Sequence, residues 1–163
     1  QTSCVCSAVD VCRLDGVRVI GERINPTGKK RFKQALIERD MDYILSEGIN
    51  QQERGVHILD VNVGYPGVDE VTMLPQVVRK LQEATNLPLM LDSTNPDALE
   101  AGLRVYCGKA AVNSVNGDEK VLARILPIVK KYGAVVAVPA AAEAAVLAAA
   151  EKVGMKKKDF LFS

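Results

Sequence analysis

The run Pro88-Leu89-Met90-Leu91-Asp92-Ser93-Thr94-Asn95-Pro96 holds the grammar of the whole chain. Its apolar start has strand length, and a carboxylate, two hydroxyls and an amide end it. Pro96 stands where a helix accepts proline, behind an Asn95 placed to precede it. A strand of this kind carries Asp92 to its carboxyl end. The same order of apolar strand, polar tip and amphipathic helix recurs around Ile20-Gly21-Glu22-Arg23-Ile24-Asn25, Leu59-Asp60-Val61-Asn62-Val63-Gly64 and Asn113-Ser114-Val115-Asn116-Gly117-Asp118. Polar groups from consecutive strand ends then converge on one open face, as in a barrel of alternating strands and helices.

Working outward, Val17 to Gly21 is the first expected strand, and it feeds a loop of turn formers, Glu22 to Gly28. Phe32, Ala35 and Leu36, then Met41, Ile44, Leu45 and Ile49, give helical spacing, with Asp40 as a restart cap and Gly55 as the stop. Val56 to Val61 is the second strand. Alternation puts Ile58, Asp60 and Asn62 on one face and His57, Leu59 and Val61 on the other, so the sole histidine is expected to be structural. A helix carrying Met73, Leu74, Val77, Val78 and Leu81 leads to the strand quoted first. Ala110 to Val112 and Val135 to Val138 are further strands, separated by a helix expected to kink at Pro127, and Asp159 to Phe162 opens a sixth.

Strand–helix repeats of this length imply a parallel sheet with right-handed crossovers. Closure as a barrel is preferred to a doubly wound sheet because polar residues sit at the tips of consecutive strands rather than at one switch point. No G-x-G-x-x-G or Walker-type phosphate loop occurs. The expectation is an α/β chain with a (β/α)8 TIM-barrel fold that stops after about six strands, since a full barrel needs about 250 residues. Residues 1–16, which show no sustained period, are expected to be an incoming linker, with the domain at 17–163.

With 163 residues, 48% of them hydrophobic, the chain can bury a real core. Its 21 basic and 20 acidic residues balance, and aromatics make up 4%, which argues against a nucleic-acid surface. Cys4, Cys6, Cys12 and Cys107 fit neither a disulfide framework nor a zinc spacing, so reduced thiols and a cytoplasmic setting are expected. The start shows no secretory pattern, and the alanine-rich stretch 134–150 is interrupted by Pro139 and Glu143, so no membrane span is expected.

Asp60 and Asp92, if aimed into a barrel mouth, would each be costly to bury without a partner. A flat heterocycle with an amidine-like edge can give a carboxylate two parallel N–H bonds, and the asparagines can donate or accept at its carbonyl and ring nitrogens. Magnesium held by the two carboxylates is the rival use. Loop caps and turn amides are the plainer explanation for any one asparagine.

At these residues a family resemblance emerges. Gly21-Glu22-Arg23-Ile24-Asn25, Leu59-Asp60-Val61-Asn62-Val63-Gly64, Leu91-Asp92-Ser93-Thr94-Asn95 and Val112-Asn113-Ser114-Val115-Asn116 closely resemble, in order and spacing, the pterin-binding domain of methyltetrahydrofolate:corrinoid methyltransferases. That family includes the folate domain of cobalamin-dependent methionine synthase and the acetogenic enzyme that methylates a corrinoid iron-sulfur protein. The likeness covers about residues 17 to 138 and implies the barrel fold shared with dihydropteroate synthase. It implies Asp60, Asp92 and Asn113 as pterin ligands, with Asn62, Asn95, Asn116, Glu22 and Asn25 around the same mouth. Asp92 and Asn113 would be catalytic, Asp92 by positioning the ring and Asn113 by polarising it. Ser163 stands where the family places an aspartate.

The implied activity is binding of methyltetrahydrofolate and transfer of its methyl group to cob(I)alamin on a corrinoid-carrying protein or domain, in methionine synthesis or one-carbon metabolism. No resident metal is implied, and homodimerisation stays open. The alternatives are a dihydropteroate synthase-type transferase, disfavoured by the first and third motifs, and a folate-binding fragment without activity.

Overall fold

The computed structural model describes residues 3–113, 115 and 118–162. The chain opens with an antiparallel hairpin, β1 (Cys4–Cys6) and β2 (Val11–Arg13). β3 (Ile20–Ile24) is followed by α1 (Lys30–Glu38) and α2 (Met41–Glu53). Then strand and helix alternate: β4 (Ile58–Val61), α3 (Glu70–Ala84), β5 (Leu89–Asp92), α4 (Pro96–Arg104), β6 (Ala111–Asn113), α5 (Glu119–Tyr132), β7 (Val135–Val138), α6 (Glu143–Lys152) and β8 (Phe160–Phe162). The last six strands form one sheet in sequence order, each parallel to the next. That order has no switch point, so the sheet is the wall of a barrel rather than a doubly wound sheet.

The strands are short and apolar because both faces are covered. Leu59, Val61, Leu89, Leu91, Val112, Val136 and Val138 pack against the helices with Phe32, Leu36, Leu74, Leu81, Leu99 and Leu122. The alternate residues Ile58, Met90, Ala111 and Val135 form a second apolar cluster on the opposite, inner face. Continuing by twos along that face from Ile58, Met90 and Ala111 reaches Asp60, Asp92 and Asn113, so the inner rows of β4, β5 and β6 begin apolar and end polar.

The helix boundaries follow local chemistry. The side chains of Asp40, Asp69, Asn95 and Asp118 each accept backbone N–H bonds at the start of α2, α3, α4 and α5. Pro127 lies within the single helix α5. The first strand begins at Ile20 rather than Val17, with a register irregularity between Gly21 and Ile24. Gly21 is required by a close approach: a Cβ there would stand 2.3 Å from Oε1 of Gln51. That buried amide accepts from Arg23 N at 2.9 Å and donates to Glu47 O at 3.0 Å, tying α2 to β3.

Residues 1–16 depart from the expected linker. Val5 is fully buried and joins Cys12 in the inner cluster with Ile58, Met90, Ala111 and Val135, so the hairpin closes the end of the wall opposite the carboxylates. Its backbone bonds to the stretch before β6, with Cys6 N donating to Lys109 O at 2.9 Å and Lys109 N to Cys6 O at 3.0 Å. Ser7 Oγ donates to Asn86 O at 2.7 Å ahead of β5, and Ser3 Oγ to Lys158 O at 2.9 Å ahead of β8. The segment is too short to show a period, and its burial depends on residues far along the chain. That is why its sequence reads as irregular.

Tyr106 fastens the hairpin. Its hydroxyl donates to Cys6 O at 2.8 Å and accepts from Leu89 N at 3.2 Å. Burial pushes its pKa up to about 12, which keeps it a neutral donor. Tyr106→Phe is expected to cost about 1–3 kcal/mol in urea unfolding, because both backbone partners lose their bond. A loss below about 0.5 kcal/mol would show that water replaces the hydroxyl.

The four cysteines are free thiols, and burial raises the pKa of Cys12. Among the described residues, no helix is long and apolar enough to cross a membrane.

Candidate functional site at the polar strand tips

The site is built from the carboxyl ends of β3, β4, β5 and β6. Asp92 closes β5, opposite Asn113 of β6 in the parallel register. Asp60 lies one residue from the end of β4, on the inner face. Asn62, two residues further on, donates from Nδ2 to Asp92 Oδ2 at 2.9 Å, while its Oδ1 accepts from Gly64 N at 2.8 Å. The asparagine is thus held at both ends of its amide and aims a donor at one carboxylate.

Asp60 is 2% exposed, and its Oδ1 has no hydrogen-bond partner among the described residues. Burial, and then the negative charge of Asp92, raise its pKa to about 7, although the side chain of Asn25 and the charge of Lys29 pull it down. Glu22 adds a further upward push. The pKa of Asp92 is also raised, first by burial and then by Glu22 and Glu70, with the Asn62 bond opposing. A buried and a half-buried carboxylate beside two more acids form a site short of donors among the described residues. A proton can fill that deficit, and so can an N–H edge.

A cavity of about 430 Å3 opens beside Asp92, walled by Asn62, Tyr65, Glu70, Asp92, Ser93 and Thr94 among others. Ser93 is buried, donates to Glu70 Oε2 at 2.6 Å and accepts from Asn95 N at 3.0 Å. Glu70 and Ser93 were not expected from the sequence. The position of Glu70 in the first turn of the helix after a polar strand tip was the available signal.

The expected site residues divide. Asp60, Asp92, Asn62, Glu22 and Asn25 come together through bonds or charge at the mouth, and Asn113 lies beside Asp92 in register. Of these, only Asn62 and Asp92 line the cavity itself. The Asn95 side chain is taken up otherwise: its Oδ1 accepts from Asp97 N at 3.0 Å and Ala98 N at 3.4 Å as the cap of α4. Asn116 and Ser163 lie outside the described residues. His57 is exposed just before β4, and its Nδ1 accepts from Val19 N at 3.0 Å, three residues from Asp60 and toward the opposite strand end. Among the described residues, no group of three or more His, Cys, Asp or Glu side chains could hold a metal ion.

Residues 21–160 match the family described as pterin binding enzyme. Methionine synthase of Mycobacterium tuberculosis is 36% identical over 141 residues, and that of Mycobacterium leprae 33% identical over 141. In both cases the match covers 83% of this chain and 12% of the relative, so the chain spans about an eighth of their length. The fold resembles dihydropteroate synthase of Xanthomonas albilineans with 4-aminobenzoic acid, at TM-score 0.72 and 20% identity, covering 98% of this chain and 64% of that one. The Stenotrophomonas maltophilia dihydropteroate synthase gives TM-score 0.68 and 21% identity, covering 93% and 61%.

Proposed function

This chain belongs to the pterin-binding enzyme family, and from that premise we propose that it holds methyltetrahydrofolate by the pterin ring and presents the methyl group for transfer to a corrinoid carried on another protein or domain. The observation that carries the reading is the donor-poor pair of Asp60, buried, and Asp92, half-buried, at adjacent strand tips. The 2-amino group and ring N–H of a pterin supply the parallel donors that such carboxylates lack. Each charge-assisted bond is worth on the order of 1.5–3 kcal/mol.

Asn62 holds Asp92 in place, and Asn113, next to it in register, is positioned to polarise the ring. The leaving nitrogen is a poor leaving group unless it gains positive character, so hydrogen bonds that strengthen as it is protonated lower the barrier. The corrinoid supplies the nucleophile that takes the methyl group. The identity with methionine synthases supports the methyl-transfer branch over a dihydropteroate synthase-type reaction.

Asp92→Ala is expected to weaken methyltetrahydrofolate binding tenfold or more, on the order of 1.5–3 kcal/mol, in a calorimetric titration. Unchanged affinity in a folded variant removes Asp92 from the site. Methyl transfer to free cob(I)alamin by the parent chain tests the reaction itself, and turnover of a pterin pyrophosphate with 4-aminobenzoate in its place would favour the other branch.

A further inference from the structure

We propose that Lys29, Lys30 and Lys33 form a second subsite, which takes the carboxylates of the folate's glutamate tail while the strand tips take the pterin. The inference rests on the ring-binding reading above and extends it to the other end of the substrate.

The three lysines occupy the loop end and first turn of α1, on the side of the sheet where the strand tips open. No carboxylate pairs with any of them among the described residues. Arg31, in the same turn, is committed to Asp40 and Glu38. Two observations tie Lys29 and Lys33 to the site, and Lys30 lies beside Lys29 in the sequence. Lys29 is close enough to Asp60 to draw its pKa down. Lys33 Nζ lies 5.4 Å from the ring centroid of Tyr65, and Tyr65 is a wall of the cavity that Asp92 also lines. The cavity thus runs from a carboxylate past an aromatic ring that carries an ammonium group.

Charge decides the direction of binding. Glu22, Asp60, Glu70 and Asp92 make the inner mouth acidic, which favours the donor edge of a pterin and repels an anion. A folate joins that donor edge, through an aromatic ring, to a glutamate tail with two or more carboxylates. Laid with its pterin on the acids, it has the unpaired lysines as the positive surface for its tail. Exposed pairs of this kind are individually weak, so the gain grows with the number of tail carboxylates and falls with salt.

The test is a titration of the chain with three ligands: 6-methyltetrahydropterin, which has no tail, and methyltetrahydrofolate bearing one or three glutamates. The triglutamate is expected to bind about five- to tenfold tighter than the monoglutamate at low salt, with most of that advantage lost near half-molar salt. In Lys30→Gln/Lys33→Gln the advantage should fall to about twofold or less, with the affinity for 6-methyltetrahydropterin unchanged. Equal affinity for both folates, or an advantage that survives the double substitution, overturns the tail subsite and leaves the ring site standing. Absence of binding by all three ligands overturns both.

Discussion

Asp60→Asn should make the unliganded chain more stable above neutral pH and a weaker binder of pterins. In the unfolded chain Asp60 titrates near its ordinary 3.8, and in the folded chain near about 7. The folded state therefore binds more protons in that interval. The contribution of Asp60 to stability is full below the unfolded pKa and is lost as pH rises through about 7. By about pH 8 the charged, buried carboxylate costs on the order of 4 kcal/mol. An amide of the same shape stays neutral, so the gain from the substitution should be near zero at about pH 4 and should reach a few kcal/mol at about pH 8 in urea unfolding. The same change removes the acceptor charge, and binding of methyltetrahydrofolate should weaken about ten- to a hundredfold. A stability difference that is flat with pH would mean that Asp60 is not buried in its charged form. Undiminished binding would mean that its unpartnered oxygen does not face the ligand.

The other large effect lies at the opposite end of the strands. Val5→Asp should destabilise the chain by at least about 3 kcal/mol, because it puts an unpaired carboxylate among Ile58, Met90, Ala111 and Val135. Val9, 74% exposed at the hairpin turn, is the control, and Val9→Asp should move stability by less than about 0.5 kcal/mol. Hydrogen exchange should show β4, β5 and β6 losing protection together in the Val5 variant. If both variants unfold alike, the hairpin is an appendage and the wall is closed at that end by something else.

The contrast between these two ends shows what the sequence reveals. Strands β4 to β8 were legible because each is an apolar run ended by a polar or turn-forming residue, and the helices because their apolar spacing is regular. The alternation around Asp60 even assigned His57 away from the carboxylates, and the bond from Val19 N gives it a structural use. The hairpin was not legible, since the burial of Val5 is decided by residues more than fifty positions away. Asn95 carried two signals at once. Its place before Pro96 signalled a cap, its place in a motif signalled a ligand, and both helix N–H groups of the cap fall on its side-chain oxygen. Glu70 carries no motif, and only the folded chain brings it to Ser93. Its weight comes from a 2.6 Å bond across 23 residues, which no spacing rule would propose.

The burial of Asp60 beside the half-buried Asp92 makes a ligand that brings N–H donors the one expected to bind there. A buried carboxylate such as that of Asp60 is stable in two ways, with a proton or with a ligand's N–H groups. On the proposed reading, binding a pterin should exchange one for the other, an exchange expected to show as protons leaving the protein.

The most direct test of the account is a calorimetric titration of this chain with methyltetrahydrofolate at about pH 6.5 in two buffers of different ionisation enthalpy, repeated at about pH 8.5. The account predicts saturable one-to-one binding, with about half a proton or more released at the lower pH and close to none at the higher. A folded chain that shows no saturable heat, or that binds with no proton release at either pH, would contradict a pterin held by the strand-tip carboxylates.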